Sequence, residues 1–199
     1  MEKGLLIILS GPSGVGKGTV RKKLMEMYPE FDIQYSISMT TRKPRNQEVN
    51  GVDYFFVTNE EFDNNLARDN FLEHASFVGN RYGTPKDYVE NLLNKNKIVL
   101  LEIEINGAKQ VLEKVKDTDN HVSIFLTTDL ETLRERITNR KTESEAIINE
   151  RLEKAKKEFG ESSIYDYVVK NVLVEQAAED IANIIKSKIK LVWSIFYIF

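Results

Sequence analysis

The residues with the plainest chemical purpose lie near the start of the chain. Gly11-Pro12-Ser13-Gly14-Val15-Gly16-Lys17-Gly18-Thr19 fits G-x-x-x-x-G-K, directly after the apolar run Gly4 to Ser10 and directly before a helix-forming stretch. Glycines there let the backbone curl so that N–H groups point at phosphate oxygens. The helix that follows presents the positive end of its dipole, and Lys17 adds a full charge for the β- and γ-phosphates of a nucleoside triphosphate. A Ser or Thr usually follows the lysine to touch Mg²⁺; here Gly18 takes that place and Thr19 is the available hydroxyl.

A second set sits at Arg42 and Arg45, beside Thr40 and Thr41, with Tyr54 after a turn at Asn50-Gly51. Paired guanidiniums suit bidentate capture of a phosphate dianion, with the tyrosine hydroxyl as a further donor; alone, the same spacing more often marks a solvated basic loop. Glu102 falls near the end of the apolar run Ile98 to Ile105, where proteins with such a loop place a carboxylate that orients Mg²⁺ or its waters. His74 and His121 have no nucleophile-and-acid company and read as structural.

These groups need a scaffold, and the pattern predicts one. Apolar runs at Gly4–Ser10, Ile98–Ile105, His121–Leu126 and Tyr165–Val172 read as buried strands. Between them lie helical stretches. One covers Lys17 to Tyr28 and stops at Pro29. Another begins at Thr84-Pro85, with the threonine as cap. Thr128 with Glu131 and Thr142 with Glu145 fit capping boxes for two more. In the last, Ile147, Ile148, Arg151, Leu152, Ala155 and Phe159 share a face and Gly160 is the stop. Strands alternating with helices imply an α/β fold with a parallel sheet and flanking helices. The stretch from about Ser36 to Gly83 differs: it holds short strand-like pieces and a helix, Glu60 to Arg68, and reads as an insertion on the sheet.

With 199 residues, 41% hydrophobic and 30% charged, the chain fits one domain with small insertions. It contains no cysteine, which excludes disulfides and thiolate metal sites and suits a reducing cytoplasm. A net charge of −3 gives no global field for nucleic acid or an anionic membrane, so cations for phosphate must be placed locally. No signal-peptide pattern is present. The end, Leu191 to Phe199, is nearly all apolar and too short to span a bilayer. A terminal helix docking on the domain is the plainest account, with a membrane-touching or self-associating end and an atypical terminus as alternatives.

Further pieces follow in order: Phe71-Leu72-Glu73-His74-Ala75, Gly79-Asn80-Arg81-Tyr82-Gly83-Thr84 and Leu101-Glu102-Ile103-Glu104-Ile105-Asn106-Gly107. Together with the loop and the Tyr35–Tyr54 stretch, they resemble the guanylate kinase family in order and spacing, from about residue 3 to 185, leaving 186–199 as an apolar tail. The resemblance implies an ATP:GMP phosphotransferase using Mg²⁺, with ATP on residues 11–19, a GMP-binding insertion at about 36–84 and a mobile lid at about 134–156. By the same resemblance Ser38, Glu73 and Glu104 read the guanine base, and Arg42, Arg45, Tyr54 and Tyr82 hold the GMP phosphate. Thr84 is another nucleotide contact, Asn171 an adenine-side one, and Arg136, Arg140 and Arg151 are lid arginines that close on the transferred group.

Guanine offers N1–H and its amino group side by side, which one carboxylate can accept; adenine offers no such pair. Departures from the family pattern are Gly18, glutamate instead of aspartate at both 102 and 104, Asn106 instead of glutamine, Lys141 instead of glycine in the lid, and Val172 instead of aspartate beside Asn171. The expected molecule is a monomer or homodimer with a hinge, open when empty. Other readings are a binding module of the same fold, whose phosphate loop is typically degraded, and a kinase for another monophosphate. The lack of N-K-x-D and D-x-x-G motifs argues against a GTPase.

Overall fold

A computed structural model describes residues 4–138 and 144–194, with side chains described as far as Ile189. The apolar runs form a five-stranded, all-parallel sheet in the order β2-β7-β1-β8-β9. Its strands are β1 (Leu6–Ser10), β2 (Gln34–Tyr35), β7 (Val99–Glu102), β8 (His121–Thr127) and β9 (Tyr167–Lys170). β1 is central, and all five of its residues are buried, which is why it reads as unbroken apolar sequence.

Helices cover both faces. On one, α1 (Lys17–Met27) and α7 (Val174–Ser194) pack Val20, Leu24, Ala178, Ile181 and Ile185 against Ile7 and Leu9. On the other, α3 (Lys86–Asn94) and α4 (Ile105–Val115) pack Val89, Leu93, Ala108 and Val111 against Leu6, Ile8 and Leu101. Alternate residues of β1 thus serve opposite cores. A third cluster joins α5 (Leu130–Thr138) to α6 (Glu145–Phe159) through Leu133, Ile137, Ile148 and Leu152.

The insertion makes a sheet of its own, in the order β4-β3-β6-β5. Here β3 is Met39–Thr40, β4 Phe55–Phe56, β5 Phe71–Phe77 and β6 Asn80–Pro85, with α2 (Asn59–Ala67) between β4 and β5. The strand-like piece beginning at Tyr35 is therefore two strands in two sheets, and Ser38 lies where the chain crosses between them. β5 and β6 form an antiparallel hairpin, which the sequence pattern did not mark.

Local departures have physical causes. Thr84 does not cap α3: it is a buried β6 residue whose hydroxyl donates to Glu73, and Pro85 holds the cap position. Asp129, not Thr128, caps α5, its carboxylate accepting from the Thr132 N–H at 2.8 Å. Ile147 is 46% exposed, while Ile148, Leu152 and Ala155 carry the buried face of α6. The capping box the pattern overlooked belongs to α2, where Thr58 and Glu61 satisfy each other's backbone N–H groups. Thr142 and Lys141 lie outside the described residues, as do residues 195–199. The tail begins as a continuation of α7, with Ile189 packed on the core, and among the described residues no helix is long and apolar enough to cross a membrane.

Parallel pairing is what places the functional ends. β1 beside β7 sets Leu9 against Glu102, and β8 beside β9 brings Asn171, just past β9, to bond Thr127. All these ends open on one edge, the edge where ligands of parallel α/β sheets bind. The chain leaves β1 through Gly11, whose φ is +143°; a Cβ there would stand 2.3 Å from the carbonyl oxygen of Leu126. Backbone on the neighbouring strand cannot give way cheaply. Gly11→Ala should therefore destabilise the fold by about 2 kcal/mol or more, lowering Tm by roughly 4–8 °C. A thermal melt within a degree of wild type would contradict this packing.

Candidate active site

The loop from Gly11 to Gly16 wraps the start of α1, and Gly14 and Gly16 both take positive φ. Lys17 turns back so that its Nζ donates to the carbonyls of Gly11, at 2.6 Å, and Pro12, at 3.2 Å. Burial lowers its pKa; the carboxylates of Glu102, Glu104 and Glu158 oppose that fall. The ammonium is therefore held by the shape of the loop at the mouth of a cleft of about 750 Å³. Ser13, Gly16, Gly18, Thr19, Tyr35 and Glu102 are among its lining residues.

Glu102 accepts from Arg21 Nε at 2.9 Å, and the Arg21 guanidinium lies 4.0 Å from the centre of the Tyr35 ring. A Cβ on Gly18 would sit 3.3 Å from Glu102 Oε1. The space beside the missing hydroxyl is thus occupied by the longer carboxylate. Among the described residues no group of three or more metal-ligating side chains gathers to hold a metal ion by itself. The donor set here, one carboxylate beside a phosphate loop, fits a magnesium ion that shares its ligands with nucleotide phosphates.

Behind the loop, Val15 O accepts two bonds, from Asn171 Nδ2 at 2.8 Å and Arg136 Nη1 at 3.0 Å. Arg136 Nη2 reaches Asn171 O at 3.0 Å, so this arginine joins α5, the loop and the end of β9. Asn171 is buried, and among the described residues its Oδ1 has no hydrogen-bond partner, the kind of atom a ligand amine satisfies. Arg151, on α6, donates from Nη2 to Ser13 Oγ at 2.7 Å. Arg134 is spent on Glu145 and Asn149, as a surface pair on the lid helices would be. Arg140 lies outside the described residues.

The second half-site is built on the inserted sheet. Arg42 lies 5.4 Å from the Tyr54 ring centre, and Tyr54 meets Tyr82 edge to face at 6.0 Å. The Tyr82 hydroxyl also raises the Arg42 pKa, though less than the chief cause, a bond to Glu48. Glu48 receives Arg42 through both terminal nitrogens, at 2.9 and 3.0 Å, and the Arg45 main-chain N–H at 2.7 Å. Glu48 was not among the residues expected from the sequence. Its one signal is that it is the single carboxylate between Thr40 and Val52, inside a basic loop.

Glu73 lies on β5, 8% exposed, its Oε1 accepting from Thr84 Oγ1 at 2.6 Å. Gly107, in the first turn of α4, leaves room for it: a Cβ would come 2.9 Å from Glu73 Oε2. Burial raises the Glu73 pKa, bonds from Thr84 pull it partly back, and the charge of Glu104 adds to the rise. Glu104, exposed at the start of α4, also acts on Lys17. Glu104 therefore lies within electrostatic reach of both Lys17 and Glu73. Ser38 joins β4 through its carbonyl, at the junction of the sheets.

A phosphate loop at the end of a central parallel strand, with an arginine–tyrosine cluster on an inserted sheet, fits a phosphotransferase of the nucleotide-kinase class. Comparison narrows this. The family model described as "Guanylate kinase" matches residues 3–188. A guanylate kinase of Lactococcus lactis subsp. lactis is 53% identical over 188 residues, 94% of this chain and 89% of that one. One of Enterococcus faecalis is 52% identical, again over 94% of this chain, and 90% of its own length. The crystal structure of guanylate kinase from Anaplasma phagocytophilum superposes with a TM-score of 0.71 at 33% identity, covering 94% of this chain and 87% of that one. The chain belongs to the guanylate kinase family, and it is a nucleoside-monophosphate kinase.

The buried acid gives a direct test of the site's electrostatics. A carboxyl whose pKa is raised on folding favours the fold below its unfolded pKa, and that contribution is lost as pH rises through the folded pKa. Glu73→Gln, which keeps the acceptor for Thr84, should melt at or above wild type at neutral pH. The difference should shrink on acidification as the wild-type carboxyl protonates. A Glu73→Gln protein less stable than wild type at neutral pH would contradict the assignment.

Proposed function

We propose that this chain transfers the γ-phosphoryl group of ATP to GMP, giving ADP and GDP, with the residues above in the following roles. One observation carries the reading: a phosphate loop at the open edge of the parallel sheet is accompanied, on the inserted sheet, by a guanidinium–tyrosine cluster and a buried acid, and Glu104 acts on both Lys17 and Glu73. A cell recycling GMP in a reducing cytoplasm is the setting that a cysteine-free chain of this kind fits.

The loop 11–19 wraps the ATP phosphates in backbone N–H groups, and Lys17 leaves the Gly11 and Pro12 carbonyls for phosphate oxygens. Asn171 meets the adenine side. Arg42 and Arg45, with Tyr54 and Tyr82, hold the GMP phosphate. Glu73, with Ser38 and Glu104, reads the guanine, and Thr84 orients Glu73. A magnesium ion bound with ATP would supply charge neutralisation, and Glu102, with Thr19 at the loop's edge, is placed to hold it or its waters.

The acceptor is itself a phosphate oxygen, anionic near neutral pH, so no general base has to create a nucleophile. What remains for the protein is alignment and neutralisation of charge. Arg136 and Arg151 are held at the loop by α5 and α6, the elements that with Arg140 make the lid. Its closure over both nucleotides excludes water, which protects ATP from hydrolysis when GMP is absent.

A panel of GMP, dGMP, AMP, CMP and UMP in a coupled assay of ADP release tests the reading. GMP should support turnover, and AMP should be poorer by about a hundredfold or more, since adenine leaves the buried carboxylate unpaired. Equal rates with AMP and GMP would sink the base-reading role, and no turnover with any monophosphate would favour a binding module. Lys17→Ala should abolish turnover; a variant retaining a tenth of the wild-type rate would refute its role. Glu73→Gln should raise KM for GMP by roughly ten- to hundredfold and leave KM for ATP unchanged.

A further inference from the structure

We propose that Glu48 is a positioning residue for the GMP phosphate: it braces the Arg42 guanidinium so that a free edge of the fork faces the phosphate. The proposal rests on the reading of Arg42 and Arg45 as the phosphate clip, and adds a residue whose charge is opposite to the one expected there.

A negative side chain inside an anion site calls for a reason. The Glu48 carboxylate takes Arg42 end-on, Oε1 accepting from Nη2 and Oε2 from Nη1. Oε2 also accepts the Arg45 main-chain N–H, so one group ties both arginine positions of the loop together. The Lys43 carbonyl takes the other Nη1 hydrogen at 2.9 Å. These bonds use three of the five guanidinium N–H groups; Nε–H and one Nη2–H form a second, parallel pair along the side of the fork, on which the Tyr82 hydroxyl is the one further group that acts among the described residues. The Tyr54 and Phe56 rings lie under the guanidinium, 5.4 and 5.8 Å from it, and the Tyr82 hydroxyl is beside it.

A bond on its end, a carbonyl at one corner and rings below fix the plane of the fork. The pair is well sheltered, Arg42 and Glu48 side chains being 15% and 19% exposed. Without the brace a long flexible side chain would have to be ordered by the substrate itself, at a cost in binding. Arg45 gains in the same way: its backbone is pinned while its side chain remains exposed toward solvent.

The opposite account is that Glu48 is a placeholder, a carboxylate occupying the seat that the phosphate later takes. The two accounts predict opposite signs. A brace strengthens GMP binding, so its loss weakens it; a placeholder competes, so its loss tightens it. The brace is favoured because the carboxylate sits on the end of the fork and on a main-chain N–H, leaving the side pair for a ligand.

The experiment compares wild type, Glu48→Gln, Glu48→Asp and Arg42→Ala by titration calorimetry with GMP and with guanosine, and by KM and kcat with ATP. For Glu48→Gln the brace predicts GMP affinity lower by roughly ten- to hundredfold. It also predicts guanosine affinity and KM for ATP within about twofold, because guanosine lacks the group the clip holds and reports on the base-reading residues. Glu48→Asp should recover part of the loss. Unchanged or tighter GMP binding in Glu48→Gln overturns the brace, and so does an equal loss for guanosine, which would mean a collapsed loop. Arg42→Ala separates the premises: a loss there with none in Glu48→Gln leaves the clip standing and removes Glu48 from it. No loss in either variant removes the clip itself.

Discussion

Two nucleotides can react at their phosphates only if several negative charges are brought within bonding distance, and everything in this molecule follows from that repulsion. The chain carries a net charge of −3, so no overall field helps. Cations have to be fixed in place one by one. Lys17 is held by the carbonyls of its own loop, Arg42 by Glu48, Arg136 by Val15 and Asn171, and Arg151 by Ser13. These contacts hold each cation near the loop or the inserted sheet and limit how much ordering the binding step requires.

The fold is the device that makes such placement possible. Parallel strands end on a common edge, and register alone sets Glu102 beside β1 and Asn171 beside β8. The inserted sheet carries the half of the site proposed to hold GMP. Its connection is economical: the chain leaves β2, passes Ser36 to Ser38, and enters β3. Glu73, the acid proposed to read the base, is buried between the inserted hairpin and α4, where Gly107 leaves room.

How much of this could be read from the residues depended on how local the cause was. The phosphate loop is a run of consecutive residues whose conformation is forced by its glycines, and the buried strands are unbroken apolar runs; both were plain. The β5–β6 hairpin was not. Its strands do not alternate: β5 runs from three buried residues to four exposed ones and β6 from three half-buried to three buried, and its turn is Val78-Gly79, with the β-branched Val78 at a φ of 47°, a conformation its type disfavours. Thr84 before Pro85 imitates a helix cap, yet its hydroxyl is claimed by Glu73, eleven residues earlier and across the hairpin. Glu48 shows the same limit from the side of charge. An acid among arginines reads as solvated surface until the loop's folding brings both oxygens onto Arg42. Long-range pairing decides such residues, and sequence spacing does not record it.

The account stands on two phosphate sites that face one another across one cleft. A crystal structure of this chain with a compound linking adenosine to guanosine through a phosphate chain measures that directly. Its phosphates should run from the N–H groups of the Gly11 loop to the side edge of Arg42, with guanine against Glu73 and the lid drawn over the chain. Electron density showing guanine away from Glu73, or the phosphate chain leaving the cleft without reaching Arg42, would contradict it.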